Sequence, residues 1–334
     1  MSRQHTIAIA GDGQMALVLA AIVAQSGHET RLWSPFADAA KLLNQTRRSP
    51  RLANFQLPAS VRVSAHTEEI FTDATLAVSA IPAQFARESW QRIAPTLLPD
   101  TGIVTVTKGV EVALLCPPLA VLRVVTGQRP LAVLSGPTIA SELALQLPAT
   151  LLCASDQEPF AELVQIIFSR PWLRIYTSND PVGVEIAGAA KNVVALAAGM
   201  LDGLGMGFNA KSALLARGLA EIVRLGVAMG AKQETFFGIA GVGDLATTCF
   251  SPEGRNRTLG EKIGRGMSLN DALAATNGVV EGVETCKSLL ALAQKYNIEL
   301  PIAAAVHSVL FEHHSPAQAL RDLMSRSAKA ERIG

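Results

Sequence analysis

The stretch GVEIAGAAKNVVALAAGM, residues 183–200, is almost wholly alanine, glycine and aliphatic side chains, yet Lys191 and Asn192 stand in its middle. An ammonium and an amide inside a packed helix cost free energy unless they find partners, and lysine is rarely buried unpaired. Three other segments carry groups that could serve. VTVTKGVE sets Lys108 and Gly109 directly after a strand-like run, and LSGPTIASE does the same with Gly136, Pro137 and Thr138. GIAGVGDLATTCFSPEGRNRTLGE places Asp244 behind two glycines, then Gly254, Arg255, Asn256 and Arg257 at the opening of a helix. An arginine fork, an amide donor and free N–H groups at a helix start suit a phosphate. Each feature also has a plainer reading. Lys191 could snorkel to solvent, Lys108 could be a solvated lysine, and Arg255 and Arg257 a solvated basic face. Asp244 could be a helix cap, and Gly136–Thr138 a turn into a helix capped by Thr138. Their joint occurrence favours a site.

The elements that must position these groups fall into two halves. In the first, short runs rich in Val, Ile, Leu and Thr (TIAIAG, ETRLWS, ATLAVSAI, GIVTVT, LAVLSG, TLLCAS and LRIYTS) alternate with helical stretches such as 14–26 and 84–93. That alternation predicts an α/β Rossmann-type domain with a mainly parallel sheet. From Pro181 onward the periodicity is helical, with helices expected near 181–201, 209–229, 255–265, 268–275, 282–296, 302–313 and 316–324. Ser268 and Ser315 stand as caps of two of them. The expected domains are 1–179, binding NAD(P), and 180–334, an all-α domain carrying substrate and catalytic residues.

AIAGDGQMALVLA follows the first strand and opens a helix, and it fits GxGxxA through Gly11, Gly13 and Ala16. Gly11 allows the tight turn, Gly13 the approach of a pyrophosphate, and Ala16 close helix–strand packing. The helix start then offers its N–H groups and positive dipole end to the phosphates. The position after a strand in a βαβ pattern meets the context test for dinucleotide binding. The second strand ends at Ser34 and Pro35, without the carboxylate that commonly bonds the ribose 2′-hydroxyl of NAD. Asp38 comes late, and Arg47, Arg48 and Arg51 lie further on. The expected cofactor is therefore NADP or NAD, with a shallow preference.

Composition excludes several classes. The 334 residues carry a formal net charge of +1, so no strong field points to nucleic acid. The four cysteines are scattered and form no metal-binding or redox motif, which predicts no metal and buried reduced thiols in a cytoplasmic protein. No run of 18 or more apolar residues is free of charge, so no membrane span is expected.

GDGQMA, VTKGVE, SGPTIASE, AAKNVVALAAG, GFNAKSALLARGLAE, GIAGVGDLATTC and GRNRTLGE occur in the order found in NAD(P)-dependent glycerol-3-phosphate dehydrogenases, which the chain resembles over about residues 6–325. The soluble bacterial form is the most similar. The resemblance implies a Rossmann domain, a helical domain and an active site between them, acting on dihydroxyacetone phosphate and sn-glycerol 3-phosphate as small-molecule substrates. It implies that Lys191 is the proton acceptor, with Lys108 and Asp244 beside it in catalysis. Lys108, Gly136, Thr138, Lys191, Asn192, Asp244, Gly254, Arg255 and Asn256 correspond to substrate contacts. Gln14, Met15, Lys108, Ala140, Arg255, Val279 and Glu281 join the glycine loop as cofactor contacts. It further implies a cytoplasmic enzyme that supplies glycerol 3-phosphate for phospholipid synthesis, and it leaves a homodimer open. The chain departs from the family pattern at Gln14–Ala16, at Pro35 where a basic residue is common, in the altered stretch SPRLANFQLPASVRV, and at Gly254 in place of serine. Two alternatives stand beside this reading: a related β-hydroxyacid dehydrogenase, and a nucleotide-sensing protein without catalysis.

Overall fold

The computed structural model describes residues 4–327 and 330–331. The chain divides into two compact units, Met1–Thr107 with Pro118–Pro181, and Lys108–Pro117 with Val182–Gly334.

The first unit is built on strands β1 (Thr6–Ala10), β2 (Glu29–Trp33), β3 (Arg62–Ser64), β4 (Leu76–Ser79), β5 (Gly102–Thr105), β6 (Leu131–Ser135), β7 (Ala149–Ala154) and β8 (Leu173–Ser178). They form one sheet in the order β3-β2-β1-β4-β5-β6-β7-β8. Every pairing is parallel except β6 with β7. β4, β5 and β6 are buried along their whole length, as expected of parallel strands with both faces covered by helices. β8, at the sheet edge, alternates buried and exposed residues over its first half. The seven expected strands are all present. The eighth, β3, has three residues and begins on a charged arginine, so it lacks the apolar run that marks the others. β1 lies between β2 and β4, so successive crossovers leave it in opposite directions. Open α/β sheets bind ligands at the strand ends beside such a switch point. The loop after β1, leading into the helix Gln14–Ala24, is placed there.

The second unit is helical: Pro181–Gly203, Gly207–Ala228, Asp244–Phe250, Arg255–Gly264, Leu269–Ala274, Glu281–Lys295, Pro301–Phe311 and Pro316–Met324. The expected serine caps are observed. Ser268 and Ser315 each accept an N–H, from Asp271 and Gln318, at 3.2 Å. The helix Asp244–Phe250 lies outside the expected helices, and only the reading of Asp244 as a cap points to a helix start there. It is preceded by a π-helical turn, Ile239–Gly243, whose glycines read as loop in the sequence. The helix Pro181–Gly203 is long and apolar enough to cross a membrane, but 94% of its apolar window is buried inside the protein, which makes it a core helix. The cysteines are all free thiols. Cys153, Cys249 and Cys286 are buried, but Cys116 is partly exposed, against the expectation that all four would be enclosed. Burial pushes the three enclosed thiols up to about 12, so none is poised as a nucleophile.

One contact fixes where the second unit's polar residues fall. The helices Pro181–Gly203 and Arg255–Gly264 meet backbone to backbone. A Cβ on Gly199 would lie 1.9 Å from the carbonyl oxygen of Arg257, and one on Gly260 would lie 2.1 Å from that of Leu196. No larger side chain can stand at this crossing without moving a helix. The approach brings the start of the second helix, with Arg255 and Asn256, to the middle of the first, with Lys191 and Asn192. Gly260→Ala should therefore lower stability by about 1–3 kcal/mol, the range for overpacking. Thermal unfolding of the variant measures this, and an unchanged midpoint would mean the helices have room to part.

Candidate active site

Asp244 is the first residue of its helix and is 1% exposed. It does not cap the helix, whose preceding Gly243 makes no side-chain cap. Its carboxylate turns to two lysines instead. Oδ1 accepts from Lys191 Nζ at 2.6 Å, and Oδ2 accepts from Lys108 Nζ at 2.7 Å. Lys191, 5% exposed, also donates to Thr248 Oγ1 at 2.5 Å, and that hydroxyl donates to the Asp244 carbonyl at 2.6 Å. Lys191 therefore does not snorkel to solvent. Thr248, one helical turn after Asp244, completes the group. Two ammonium groups face one carboxylate, so the cluster carries an excess of positive charge in a mostly buried setting. Burial pushes the Lys108 ammonium down to about 8. Asp244 opposes that shift and Lys191 adds to it. An arrangement of this kind can bind an anion, polarise a carbonyl oxygen and pass a proton.

Asn192 makes a different use of its amide. Nδ2 donates to the Lys108 carbonyl at 2.8 Å, and Oδ1 accepts from Asn256 Nδ2 at 3.0 Å. Asn256 Oδ1 in turn accepts from the Gly282 N–H at 2.9 Å. A ladder of amides thus ties the segment after β5, the core helix, the helix start at Arg255 and the helix Glu281–Lys295. A Cβ at Gly282 would lie 2.5 Å from Asn256 Oδ1, so only glycine lets that helix reach the ladder. Arg255 donates to the Val279 carbonyl at 2.7 Å. Although the residue is exposed at the surface, desolvation by the surrounding chain draws its guanidinium below the usual arginine value, partly offset by the Glu281 carboxylate. Gly254 precedes the helix Arg255–Gly264 and leaves its first N–H groups without a side-chain cap. A Cβ there would stand 3.1 Å from the Thr248 carbonyl, so a larger residue would press on that backbone. Arg257 is not a solvated basic residue: it pairs with Asp202 at 2.7 Å and Glu261 at 3.4 Å, and Asp202 also holds Lys211. The second unit thus gathers Lys108, Lys191, Asn192, Asp244, Gly254, Arg255, Asn256, Val279 and Glu281.

The first unit holds the other expected residues. Gly11 has φ +114°, and a Cβ on it would lie 2.8 Å from the Ala80 carbonyl oxygen beyond β4, so the turn requires glycine. A Cβ on Gly13 would meet no protein atom within 4 Å. Gly13 precedes the helix Gln14–Ala24 with no side-chain cap, and Ala16 is fully buried. A bare, uncapped helix start next to open space fits a pyrophosphate. Gln14 is exposed at the first helical position and Met15 is partly buried behind it. Gly136, with φ +135°, turns the chain after β6. Thr138 does not cap the helix that follows: the residue before that helix is Ile139, and the Thr138 hydroxyl donates back to the Gly136 carbonyl at 3.2 Å. Ala140 opens that short helix, Ala140–Ala144, which packs against Gln14–Ala24.

Thr248 and Gly282 escaped the sequence reading. Thr248 had a signal in GDLATT, four residues after Asp244, but only once that segment is known to be helical. Gly282 had none, because its role is to leave a side chain out.

A glycine loop at the switch point of a doubly wound sheet, followed by a helical unit with a lysine–carboxylate–lysine group, marks a nicotinamide-nucleotide-dependent oxidoreductase. The chain belongs more narrowly to the NAD-dependent glycerol-3-phosphate dehydrogenase family, whose N-terminal region matches residues 6–161 and whose C-terminal region matches residues 180–321. A glycerol-3-phosphate dehydrogenase (NAD(P)+) of Salinibacter ruber is 44% identical over 330 residues, covering 98% of this chain and 96% of its own. That of Streptomyces griseus is 42% identical over 336 residues, covering 99% and 100%. The crystal structure of glycerol-3-phosphate dehydrogenase from Coxiella burnetii superposes with a TM-score of 0.94 at 34% identity, covering 97% and 99%.

The low value of Lys108 has a consequence for stability. Between about pH 8 and the unfolded value of 10.5 the folded chain binds fewer protons at this group than the unfolded chain. Stability from this group therefore rises with pH across that window, by up to about 3 kcal/mol at 1.36 kcal/mol per pH unit. Chemical denaturation of wild type and Lys108→Met should show the variant gaining most relative to wild type below pH 8. The gain should shrink toward pH 10.5. A difference independent of pH would contradict the assignment.

Proposed function

We propose that the protein catalyses the reversible reduction of dihydroxyacetone phosphate to sn-glycerol 3-phosphate with NADH or NADPH. One observation carries this reading. The Asn192–Asn256 hydrogen bond has Lys191 next to it on one side and Arg255 on the other. A proton-transfer group and a phosphate-binding group are thereby held within one unit, at the two ends of a single side-chain link.

The bound nicotinamide supplies or accepts a hydride at C4. The chain's residues then have separable tasks. Lys191, held on Asp244 and Thr248, serves the C2 oxygen of the substrate. Its ammonium polarises the carbonyl in the reducing direction, and it takes the hydroxyl proton in the oxidising direction. Lys108 shares the same carboxylate and adds a second positive charge near the developing oxyanion. Arg255, with N–H donors beyond the one given to Val279, joins Asn256 and the uncapped helix start in holding the phosphate. Because the phosphate is remote from C2, its binding can orient the reacting centre. The loop from Gly11 to Ala16 holds the pyrophosphate of the cofactor. On the family resemblance, the product supplies phospholipid synthesis in the cytoplasm.

The phosphate assignment is tested with two substrates. Arg255→Ala should lower kcat/KM for dihydroxyacetone phosphate by roughly 30- to several-thousand-fold, the cost of removing one partner of a charged contact. It should matter far less for dihydroxyacetone, which wild type should use poorly. Equal losses on both substrates would remove Arg255 from the phosphate site. No turnover of dihydroxyacetone phosphate by wild type with either nucleotide would overturn the reading itself.

A further inference from the structure

The end of β2 lacks the carboxylate that would bond an adenosine ribose, but a carboxylate reaches the place from elsewhere. Asp12, between the two glycines of the loop, is 5% exposed. Its Oδ2 accepts from the hydroxyl of Ser34, the fully buried residue that follows β2, at 2.8 Å. Its Oδ1 lies 3.5 Å from a guanidinium nitrogen of Arg51. The Arg51 backbone is fixed to the loop, because Gln14 Nε2 donates to its carbonyl at 2.7 Å and its own N–H donates to Ser49 Oγ at 3.2 Å. The guanidinium itself is loosely held: the contact with Asp12 is long and the Arg51 side chain is 46% exposed. Arg47, by contrast, is committed to the Val61 carbonyl at 2.7 Å.

We propose that Arg51 reads the 2′-phosphate of NADP, and that Asp12 is the counter-ion on which Arg51 rests when that phosphate is absent. This rests on the reading of the glycine loop as the NAD(P) site given above. In dinucleotide-binding folds the ribose 2′ position lies at the end of the second strand, and a nearby arginine accommodates the phosphate of NADP. Ser34 and Asp12 mark that strand end here, and Arg51 is the cation joined to it. A planar guanidinium can exchange a long contact with one carboxylate for a two-pronged contact with a phosphate dianion. With NAD the arginine stays on Asp12. One residue then accounts for the use of both cofactors without a basic group at position 35.

The experiment is equilibrium binding of NADPH and NADH, followed by nucleotide fluorescence, with adenosine 2′,5′-bisphosphate and ADP as cofactor fragments in calorimetry. Arg51→Gln should weaken NADPH and the 2′,5′-bisphosphate by about 10- to 100-fold, the range for a lost hydrogen bond to a charged group. NADH and ADP should change by less than about twofold, which also shows that the variant is folded. Arg51→Lys should fall between wild type and Arg51→Gln for NADPH. Equal weakening of both nucleotides, or no change in either, overturns the proposal and leaves the loop assignment intact. A wild type that binds NADH and ADP but not NADPH also overturns it. A wild type that binds none of the four overturns the loop assignment as well.

Discussion

Two ammonium groups share one buried carboxylate, and the second unit is arranged so that they can. A carboxylate with 1% exposure is too costly to leave without partners, and a lysine with 5% exposure equally so. The three residues come from positions 108, 191 and 244, far apart in sequence, and each arrives by a different device. Lys108 follows β5 on a segment that belongs with the helical unit. Lys191 rides a core helix whose neighbours are alanine, valine and glycine. Asp244 opens a helix that a π-helical turn leads into, and its side chain points to the lysines rather than back to its own backbone. The amide ladder from Lys108 through Asn192 and Asn256 to Gly282 runs beside this cluster and sets its distance from Arg255.

The same polar groups explain why the surrounding helices are so small-residued. A hydrogen-bond ladder tolerates errors of a few tenths of an ångström, and glycine contacts at 199, 260 and 282 hold the backbones to that tolerance. Residues that look like filler in the sequence are spacers for the chemistry. In the first unit the principle is similar. Gly11 lets the loop pass under a carbonyl beyond β4, and Gly13 keeps the helix start clear.

The sheet and most helices were legible because burial imposes a period on the sequence, and so was the glycine loop, because its geometry demands particular residues. Lys191 stood out for the opposite reason, as a charge where the period required none. The rest was hidden where side-chain type and role separate. β3 is too short to show a period. Asp244–Phe250 follows a glycine-rich turn and is too short to show a helical period. Asn192 stands out as a polar residue beside Lys191, but no local signal tells that both ends of its amide are bonded within the protein. Arg257 looks like its neighbour Arg255, yet it pairs with Asp202 and Glu261. The attachment of the segment Lys108–Pro117 to the helical unit is a long-range fact with no local signature.

If Asp244 and its lysines act as one unit, their removal cannot be additive. The decisive measurement is a double-mutant cycle on kcat/KM for dihydroxyacetone phosphate, using Lys108→Met, Asp244→Asn and the combination. The account predicts that each single change is severe and that the double variant loses no more than about threefold beyond the worse single one, as for residues that work together. Losses that multiply in the double variant would show that Lys108 and Asp244 act independently, and the shared carboxylate would then not be the centre of the site.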